Sequence, residues 1–406
     1  MAESTGAGPA PVLGVGMVGY AFMGAAHSQA WRTAGRFFDL PLAPRLSVLC
    51  GRDRAKVGTA AGRLGWERTE TDWRALLEAD DVDLVDVASP GDTHAEIAVA
   101  ALEAGKHVLC EKPLANSVAE AEIMAAAAER AAGRGVRSMV GFNYRRVPAV
   151  ALAKRLVEQG RIGEVRHVRG TYLQDWIVDP EFPLVWRLQA EKAGSGALGD
   201  IGAHIVDMAQ YLTGDVLTGV SALTETFVRE RPLPEASSGL AASGGSASDG
   251  TERGTVDVDD AALFLARFAG GAVASFEATR FATGRKNALR IELNGSRGSL
   301  AFDQERMNEL EFYDGDEDPD TAGFRRILVT EPTHPYAGAW WPPGHLLGYE
   351  HSFTHEVVDL ITDLAADRDP TPSFADGLQV QLVLDAVARS AAAGSGWQPV
   401  DIAEEA

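Results

Sequence analysis

Five short apolar runs in the first third of the chain alternate with alanine-rich helical patterns. The runs have the length of strands and end in turn residues, whereas the patterns between them are long enough for helices. Strands that alternate with helices of this length predict a parallel, doubly wound α/β sheet. The predicted strands cover about residues 12–15, 46–50, 82–88, 107–110 and 138–142, and helices are predicted after residue 19 and at 53–64, 93–104 and 117–132.

From about residue 148 the pattern changes to strands with few helices between them. Glycine-containing turns join several of these strands, which predicts an α+β domain with a mainly antiparallel sheet. Because few helices are available to cover the sheet, we expect its open face to pack against another copy, in a homodimer or homotetramer. The predicted strands cover 165–176, 220–228, 261–268, 272–278, 288–294, 299–303 and 310–313, and the helices 149–159, 199–212, 344–366 and 377–393.

The two patterns divide the chain into a nucleotide-binding domain at 11–146 and a substrate-binding and oligomerisation domain at 147–406. Residues 1–10 predict a disordered tail. The Ser/Gly/Ala-rich stretch at 236–254 has no periodicity and predicts a flexible insertion between strands.

A G-x-G-x-x-G pattern lies at the first apolar run. Gly14, Gly16 and Gly19 precede a helical pattern, which is the context in which this motif binds a dinucleotide. The first glycine would allow a turn, the second would admit the pyrophosphate, and the third would let helix and strand pack closely. N–H groups at the start of the helix would then face the anion.

Turn residues after the other strands support this interpretation. Ser89-Pro90, Glu111-Lys112 and Asn143 each come directly after a predicted strand. Ligands of doubly wound sheets bind at the carboxyl ends of the strands. The sequence therefore predicts a dinucleotide site at this edge of a Rossmann sheet.

Lys112 is the first candidate for chemistry. It lies between Glu111 and Pro113 at the lip of the predicted crevice, and the proline restricts it to an extended backbone. A lysine there can donate a hydrogen bond to a substrate hydroxyl, or accept a proton if burial lowers its pKa. The alternative interpretation is an ordinary surface lysine at the end of a strand.

A second candidate group lies on the helix predicted at 199–212. Asp200, His204 and Asp207 are spaced i, i+4 and i+7, so they share one face beside an apolar stripe. Histidine suits reversible proton transfer near neutral pH, and Asp200 can hold its tautomer or bind a hydroxyl. The alternative is a surface histidine paired with its neighbouring carboxylate. Gly199 and Gly202 oppose that alternative, because each lowers helix stability by roughly 1 kcal/mol unless something must approach closely.

Aromatic and amide side chains form a third group at 170–176, with Trp186 and Arg187 further along the chain. Such residues suit a polyhydroxylated ring, because aromatic faces stack on it and amides bond to its edge. A strand with aromatic core residues is an equally good interpretation.

Composition and charge exclude several classes of function. The net charge of −21 argues against nucleic acid and anionic membranes as partners. The sequence has no apolar run long enough to span a membrane and no signal-peptide pattern at its start, so we expect a cytoplasmic protein. Cys50 and Cys110 end apolar runs and suit a reducing compartment rather than a disulfide. His and Cys without ligand spacing predict no metal site.

Five segments resemble the glucose–fructose oxidoreductase/inositol dehydrogenase (Gfo/Idh/MocA) family, and the resemblance covers nearly the whole chain. They are GVGMVG at 14–19 with His27, ASPGDTHAEIA at 88–98, CEKPLA at 110–115, GFNYR at 141–145 and GALGDIGAH at 196–204. The resemblance implies a Rossmann domain, an open-faced C-terminal sheet used in oligomerisation, and NAD(P)-linked oxidation of a sugar or cyclitol hydroxyl. Within the family, GTYLQDW, GSGALGDIGAH and PSFADG are most similar to sugar dehydrogenases of the levoglucosan dehydrogenase type, which oxidise the C3 hydroxyl.

The resemblance maps the family's Glu-Lys-Pro lysine onto Lys112 and its Asp-x-x-x-His pair onto Asp200 and His204. As a hypothesis, His204 is the general base, Lys112 stabilises the alkoxide, and Asp200 orients His204 or a hydroxyl. The candidate cofactor-binding residues are Gly14, Gly16, Met17, Val18, Gly19, Arg52, Ser89, Pro90, His94, Glu111, Lys112 and Asn143. The candidate substrate-binding residues are Tyr144, Arg145, Tyr172, Gln174, Trp176, Trp186 and Arg187.

One position departs from the pattern of NAD-binding members. An acidic residue usually ends the second strand and holds the adenosine ribose, but here Gly51 occupies its place and Arg52 follows. Arg52 could bind a 2′-phosphate, or stack on adenine with either cofactor, whereas Asp53 is predicted to cap the next helix. NAD and NADP both stay open, and the levoglucosan-type resemblance favours NAD.

Two other functions stay open at this point. An inositol dehydrogenase would use the same residues on a different ring. A non-catalytic dinucleotide-binding regulator would share the fold but would have no need for Lys112, Asp200 and His204.

Overall fold

The computed structural model describes residues 10–234 and 252–402. In the first of these ranges, strands β1–β6 form a parallel sheet with the order β3-β2-β1-β4-β5-β6, which confirms the predicted doubly wound fold. The strands are β1 (Val12–Val18), β2 (Ala43–Cys50), β3 (Arg68–Glu70), β4 (Leu84–Val87), β5 (His107–Glu111) and β6 (Ser138–Gly141). The helices are α1 (Phe22–Phe37), α2 (Arg54–Leu64), α3 (Arg74–Leu77), α4 (His94–Glu103) and α5 (Val118–Ala132). The sequence did not indicate β3, because its polar residues contain no apolar run.

The first two glycines of the predicted motif lie inside a strand rather than in a turn. Strand β1 continues to Val18, so the turn predicted at Gly14 and Gly16 is wrong. A Cβ atom at Gly14 would collide with the backbone carbonyl of Asp81, so this glycine serves close packing of the strand. The predicted cofactor-binding residues Gly14, Gly16, Met17 and Val18 are therefore buried in β1, before the turn begins.

The glycine turn lies at 19–24 instead. Gly19 has a φ of +110°, and a Cβ atom there would lie 2.5 Å from the Ala88 carbonyl oxygen, so only glycine fits. A Cβ atom at Gly24 would collide with the Gly19 carbonyl oxygen, so Gly24 allows close packing of the first turn of α1. The pattern at the turn is thus G-x-A-x-x-G, with Ala21 in the second place.

Most of the remaining strands build a larger sheet with helices on one side, and two short strands form a separate pair. In the described residues its order is β16-β15-β14-β13-β7-β12-β11-β8-β17; β7 and β12 are parallel and the other pairs antiparallel, as predicted. The helices are α6 (Pro148–Glu158), α7 (Ala190–Ala193), α8 (Ala203–Thr213), α9 (Tyr349–Ala365) and α10 (Phe374–Ala392). The strands are β7 (Val165–Leu173), β8 (Leu217–Glu225), β9 (Glu230–Pro232), β10 (Arg253–Thr255), β11 (Ala261–Phe268), β12 (Val273–Thr279), β13 (Ala288–Gly295), β14 (Gly298–Asp303), β15 (Glu309–Asp314), β16 (Arg325–Leu328) and β17 (Gln398–Pro399).

Most of the insertion predicted at 236–254 lies outside the described residues, as do residues 1–9 of the tail predicted at 1–10. The end of the insertion is a strand, because β10 pairs with β9. Across residues 10–234 and 252–402, none of the helices combines the length and the apolar character that crossing a membrane requires.

The two faces of the larger sheet differ in their cover. Ile205 on α8 and Val383 on α10 share a buried core with Phe264 of the sheet. On the opposite face, the side chains of Leu263 and Leu265 alternate with these buried positions and are exposed. The sheet therefore has one face packed on helices and one open face.

Helix α9 returns to the first sheet. Phe353 and Leu360 of α9 are buried in the same core as Val15 of β1 and Trp31 of α1. The C-terminal part of the chain therefore helps to build the nucleotide-binding part.

Candidate active site

The start of α1 forms a cradle for an anion at the carboxyl edge of the first sheet. No side chain caps the first N–H groups of this helix. The turn is held in place because the Gly19 N–H donates to the Cys50 carbonyl at 3.0 Å and the Ala88 N–H donates to the Val18 carbonyl at 2.9 Å. Uncapped donors and the positive end of a helix dipole fit the pyrophosphate of a dinucleotide.

Tyr20 covers the end of β2, where the adenosine ribose of a dinucleotide would lie. A Cβ atom at Gly51 would collide with the Tyr20 ring, so an acidic residue at this position would require that ring to move. Asp53 caps α2 as predicted, and its carboxylate accepts two backbone N–H groups at 3.0 Å. Arg52 between them is exposed. The ribose end is therefore bordered by an aromatic ring, a guanidinium and a carboxylate.

His94 joins two of the loops at the strand ends. Its ring nitrogens lie 2.9 Å from the Ser89 carbonyl oxygen and 3.0 Å from the Pro113 carbonyl oxygen. The Ser89 hydroxyl is bonded to the Thr93 hydroxyl at 2.6 Å, and Thr93 also bonds to the Pro90 carbonyl. Because backbone carbonyls occupy both ring nitrogens, the buried His94 shapes the loops instead of presenting its ring to a cofactor.

The amine of Lys112 connects the first sheet to the second part of the chain. Its Nζ donates to the Asp200 carbonyl oxygen at 2.6 Å and lies 3.5 Å from Asp200 Oδ1. Burial alone would raise the pKa of Asp200, but the charges of Lys112, Arg187 and Arg280 lower it well below its ordinary range. An ammonium and a carboxylate are therefore held together in the crevice between the two sheets.

Arg187 lies close enough to Asp200 for its charge to lower the pKa of that carboxyl, and Trp186 precedes it in the chain. The Arg187 guanidinium stacks over the Trp186 ring at 4.3 Å from its centroid. The backbone carbonyl of Arg187 accepts Nη1 of the buried Arg280 at 3.4 Å. The segment that carries this pair is therefore tied to the crevice.

The backbone around Asp200 is wider than the predicted α-helix. Leu198–Gly202 forms a π-helical turn, and α8 follows it at Ala203. A Cβ atom at Gly199 would collide with the Ser195 hydroxyl. The group that approaches Gly199 closely is therefore a side chain of the protein itself. The π turn places Asp200 next to Lys112, one turn before His204.

His204 lies among aromatic rings beside the Lys112 amine. Its ring centroid is 4.6 Å from that of Tyr144 and 6.0 Å from that of Tyr172. Burial lowers the pKa of His204 well below 6.5, and the charge of Lys112 lowers it further, against the opposing effect of Asp200. The imidazole is therefore neutral at pH 7 and able to accept a proton.

A chain of hydrogen bonds begins at Tyr144, whose ring packs against that of His204. The Tyr172 hydroxyl donates to Asn287 Oδ1 at 2.7 Å, so the Tyr144 hydroxyl is the donor in its 2.8 Å bond to Tyr172. Gln174 Nε2 donates to the same Asn287 oxygen at 2.9 Å, and Trp176 Nε1 donates to Gln174 Oε1 at 2.9 Å. Four predicted substrate residues are thus brought together in one polar strip.

The sequence analysis missed three residues of this site. Asn287 joins the polar strip, and Arg280 Nη1 lies 3.5 Å from Asp200 Oδ2 although its side chain is fully buried. The Tyr349 ring, at the start of α9, lies 6.3 Å from that of Tyr144. Arg280 lies two residues after the predicted strand 272–278. A positively charged residue at the end of a strand was the one feature of the sequence that could have indicated this site residue.

Two predicted site residues make other contacts. Arg145 Nη2 donates to Asp207 Oδ1 at 2.6 Å in a buried ion pair, so Asp207 does not join the predicted acid–base stripe. The guanidinium predicted to bind substrate is therefore engaged inside the protein. Asn143 Nδ2 donates to the Ser352 hydroxyl at 2.8 Å and ties the end of β6 to α9.

The fold and the site together define a class of protein. A parallel sheet with a glycine turn and an uncapped helix fits a dinucleotide, and an amine beside a neutral imidazole can move a proton. In the part of the chain that the structure describes, no cluster of His, Cys, Asp or Glu is arranged to hold a metal ion. These are the features of a dinucleotide-dependent oxidoreductase.

The chain belongs to the GFO/IDH/MocA oxidoreductase family. Residues 13–142 match the oxidoreductase family with an NAD-binding Rossmann fold, and residues 150–301 match the GFO/IDH/MocA C-terminal domain. The chain is 45% identical over 396 residues to the levoglucosan dehydrogenase of Pseudarthrobacter phenanthrenivorans, across 96% of this chain and 98% of that protein.

Solved structures agree with this assignment. An oxidoreductase domain protein from Kribbella flavida has a TM-score of 0.91 and 68% identity, over 96% of this chain and all of that chain. A levoglucosan dehydrogenase in complex with NADH and levoglucosan has a TM-score of 0.88 and 43% identity, over 96% and 99% of the two chains. The predicted family and fold are confirmed, and the protein is a dehydrogenase that acts on sugar CH–OH groups.

Proposed function

We propose that this protein oxidises the C3 hydroxyl of levoglucosan or a closely similar unphosphorylated sugar, with NAD as the hydride acceptor. The observation that carries the proposal is the convergence of the Lys112 amine, the neutral His204 ring and the polar strip in one crevice. Hydroxyl and amide groups in the strip suit the edge of a neutral polyol ring. The relative that binds levoglucosan supports the choice of sugar.

In this proposal each residue of the crevice has one task. His204 accepts the proton of the reacting hydroxyl while the Lys112 amine donates a hydrogen bond to its oxygen as the C=O bond forms. Asp200 holds the amine in place, because its backbone carbonyl accepts Nζ at 2.6 Å and its carboxylate lies 3.5 Å away. When bound, the nicotinamide ring accepts the hydride that leaves the same carbon. The products are a ketone, a reduced nicotinamide and a proton.

A substrate panel tests this function. Purified protein is mixed with NAD or NADP and with levoglucosan, glucose, glucose 6-phosphate, a methyl glucoside and myo-inositol, and reduced nicotinamide is followed by fluorescence. We expect the highest kcat/KM with levoglucosan and NAD. A higher kcat/KM with myo-inositol would establish the cyclitol dehydrogenase instead. Tight NADH binding without turnover of any polyol would favour a non-catalytic regulator.

The choice of NAD rests on the ribose end of the site. Burial raises the pKa of Tyr20, the nearby charge of Asp53 raises it further, and the charge of Arg52 lowers it. Asp53 and Arg52 therefore both lie close to the Tyr20 ring. A 2′-phosphate placed against this carboxylate would be repelled, although Arg52 offers it a partner. We therefore infer that NAD is preferred and that Arg52 sets how strongly NADP is rejected.

Replacing Arg52 with alanine is expected to increase the NAD-over-NADP ratio of kcat/KM by about tenfold, because a charge-assisted phosphate contact is lost. The kcat/KM for NAD should change little. The measurement is steady-state kinetics with both cofactors, and Arg54→Ala at the exposed start of α2 is the matched control. An equal loss with both cofactors would contradict the phosphate contact and indicate stacking on adenine.

We also propose that the open face of the larger sheet packs against a second copy in a dimer or tetramer. Leu263 and Leu223 are directly paired across β11 and β8 and are 43% and 57% exposed. Leu265 and Trp397 extend the same region and are 61% and 53% exposed. Contiguous apolar side chains on one sheet face are typical of protein interfaces.

Replacing Leu265 with arginine is expected to shift the protein toward monomers, because a charge would be buried at the centre of the interface. Light scattering after gel filtration measures the mass of the species. Leu346→Arg is the control, because Leu346 is equally exposed at 62% but lies outside the sheet. An unmutated protein with the mass of one chain would contradict the proposal.

A further inference from the structure

His27 is a buried histidine of α1 that the mechanism above does not use. Its Nδ1 lies 3.0 Å from both carboxylate oxygens of Asp86 on β4, and its Nε2 lies 2.9 Å from Oε1 of Glu111 on β5. The Trp31 indole N–H donates to Asp86 Oδ2 at 2.7 Å. Three elements of the nucleotide-binding part therefore meet at one imidazole that is 1% exposed.

The His27 ring carries a positive charge in this setting. Burial alone would lower its pKa, but Asp86 and Glu111 raise it well above its ordinary value. An ionised carboxylate only accepts hydrogen bonds, so both ring nitrogens must donate. Glu356 of α9 also faces this cluster, but burial raises the pKa of its carboxyl to about 8, so it adds little charge at pH 7.

Glu111 connects this cluster to the crevice. Its second oxygen, Oε2, accepts the backbone N–H of Lys112 at 3.0 Å. The Glu111 carboxylate thus bonds to His27 on one side and to the backbone of Lys112 on the other. These two bonds fix the orientation of the carboxylate. The Lys112 side chain continues from that backbone to the Asp200 carbonyl oxygen.

We propose that His27 is a positioning residue for the dehydrogenase reaction: through Glu111 it fixes the backbone of Lys112, and so the place where the amine meets the reacting hydroxyl. The proposal rests on the proposed function, because the position of the amine affects turnover only if the amine takes part in the reaction. His27 reaches Lys112 through Glu111, and its replacement therefore shifts the position of the Lys112 amine without removing the amine.

Replacing His27 with glutamine tests this role, because both N–H groups of a glutamine amide lie on one nitrogen and cannot replace donors at both ring nitrogens. We expect kcat for the sugar to fall about 10²-fold, the effect of a misplacement of about 1 Å. The KM for the sugar and the Kd for NADH should stay near their original values. His107→Gln is the matched control, because His107 begins β5, the strand that ends at Glu111. Its ring accepts the Arg137 backbone N–H at the end of β5 away from the crevice.

A double-mutant cycle separates positioning from general stability. If His27 acts through Glu111, the His27→Gln, Glu111→Gln double variant should lose no more kcat than the worse single variant. Losses that multiply would overturn the proposal. So would a His27→Gln variant that melts at a lower temperature but keeps its kcat while folded.

A crystal structure of His27→Gln gives a readout that does not depend on turnover. We expect the contact between Lys112 Nζ and the Asp200 carbonyl oxygen to be lost or lengthened. Retention of the 2.6 Å contact would overturn the positioning role. If the unmutated protein oxidises no sugar, the proposed function fails, and this structure still decides whether His27 positions Lys112.

Discussion

Replacing Lys112 with methionine is expected to lower kcat for levoglucosan oxidation about 10³-fold, within the range that a positioned acid–base group contributes. Methionine keeps the length and apolar stem of the side chain but cannot donate a hydrogen bond to the reacting oxygen. It also removes the ammonium that bonds to the Asp200 carbonyl at 2.6 Å. Steady-state kinetics with saturating NAD measures the effect.

NADH binding by the Lys112→Met protein shows whether the variant has lost the chemical step or the cofactor site. A fluorescence titration should give a Kd near that of the unmutated protein, because the cradle at α1 is unchanged. Lys154→Met on α6 is the control, since Lys154 pairs with Glu158 on its own helix at 3.4 Å and lies over the Tyr211 ring. If Lys112→Met kept kcat within a few-fold of the original, the assigned role of the amine would be wrong.

Replacing His204 with glutamine is expected to lower kcat about 10²- to 10⁴-fold, because the proposed general base is lost. Glutamine can still bond to the substrate hydroxyl, so the KM for the sugar should change far less than kcat. His345→Gln, at an exposed histidine, is the control. A variant with unchanged kcat would assign the proton transfer to another group.

The pH dependence of the unmutated enzyme follows from the same residue. Burial and the charge of Lys112 lower the pKa of His204 well below 6.5, so the ring does not take up its proton in the usual range of histidine. The profile of kcat/KM reports the pKa of the free enzyme's base. We therefore expect no falling limb near pH 6.5. A limb centred there, absent from His204→Gln, would contradict the low pKa.

The sequence predicted the two sheets well because each rests on a strong pattern. Alternating apolar runs and helices of suitable length allow little other than a doubly wound sheet. The glycine turn was misplaced because GVGMVG and GYAFMG follow one another, and only the end of β1 at Val18 decides between them. Glycines inside a buried strand serve packing, which a motif search does not distinguish from a turn.

The candidate site was predictable where its residues lie in motifs. Lys112, Asp200 and His204 come from two short segments, and the structure brings their side chains together. Asn287 and Arg280 lie at strand ends without a motif, and only the pairing of β7, β12 and β13 brings them to the crevice. Side-chain partners such as that of Arg145 likewise depend on packing that no local pattern encodes.

The central claim is that this protein moves a hydride from C3 of a sugar to nicotinamide, with Lys112 and His204 around the reacting hydroxyl. Levoglucosan deuterated at C3 tests it most directly. We expect the labelled sugar to react more slowly than the unlabelled one, and deuterium to appear at C4 of the reduced nicotinamide. Deuterium that stays in the oxidised sugar, or reduced nicotinamide that forms equally fast with both sugars and carries no label, would contradict it.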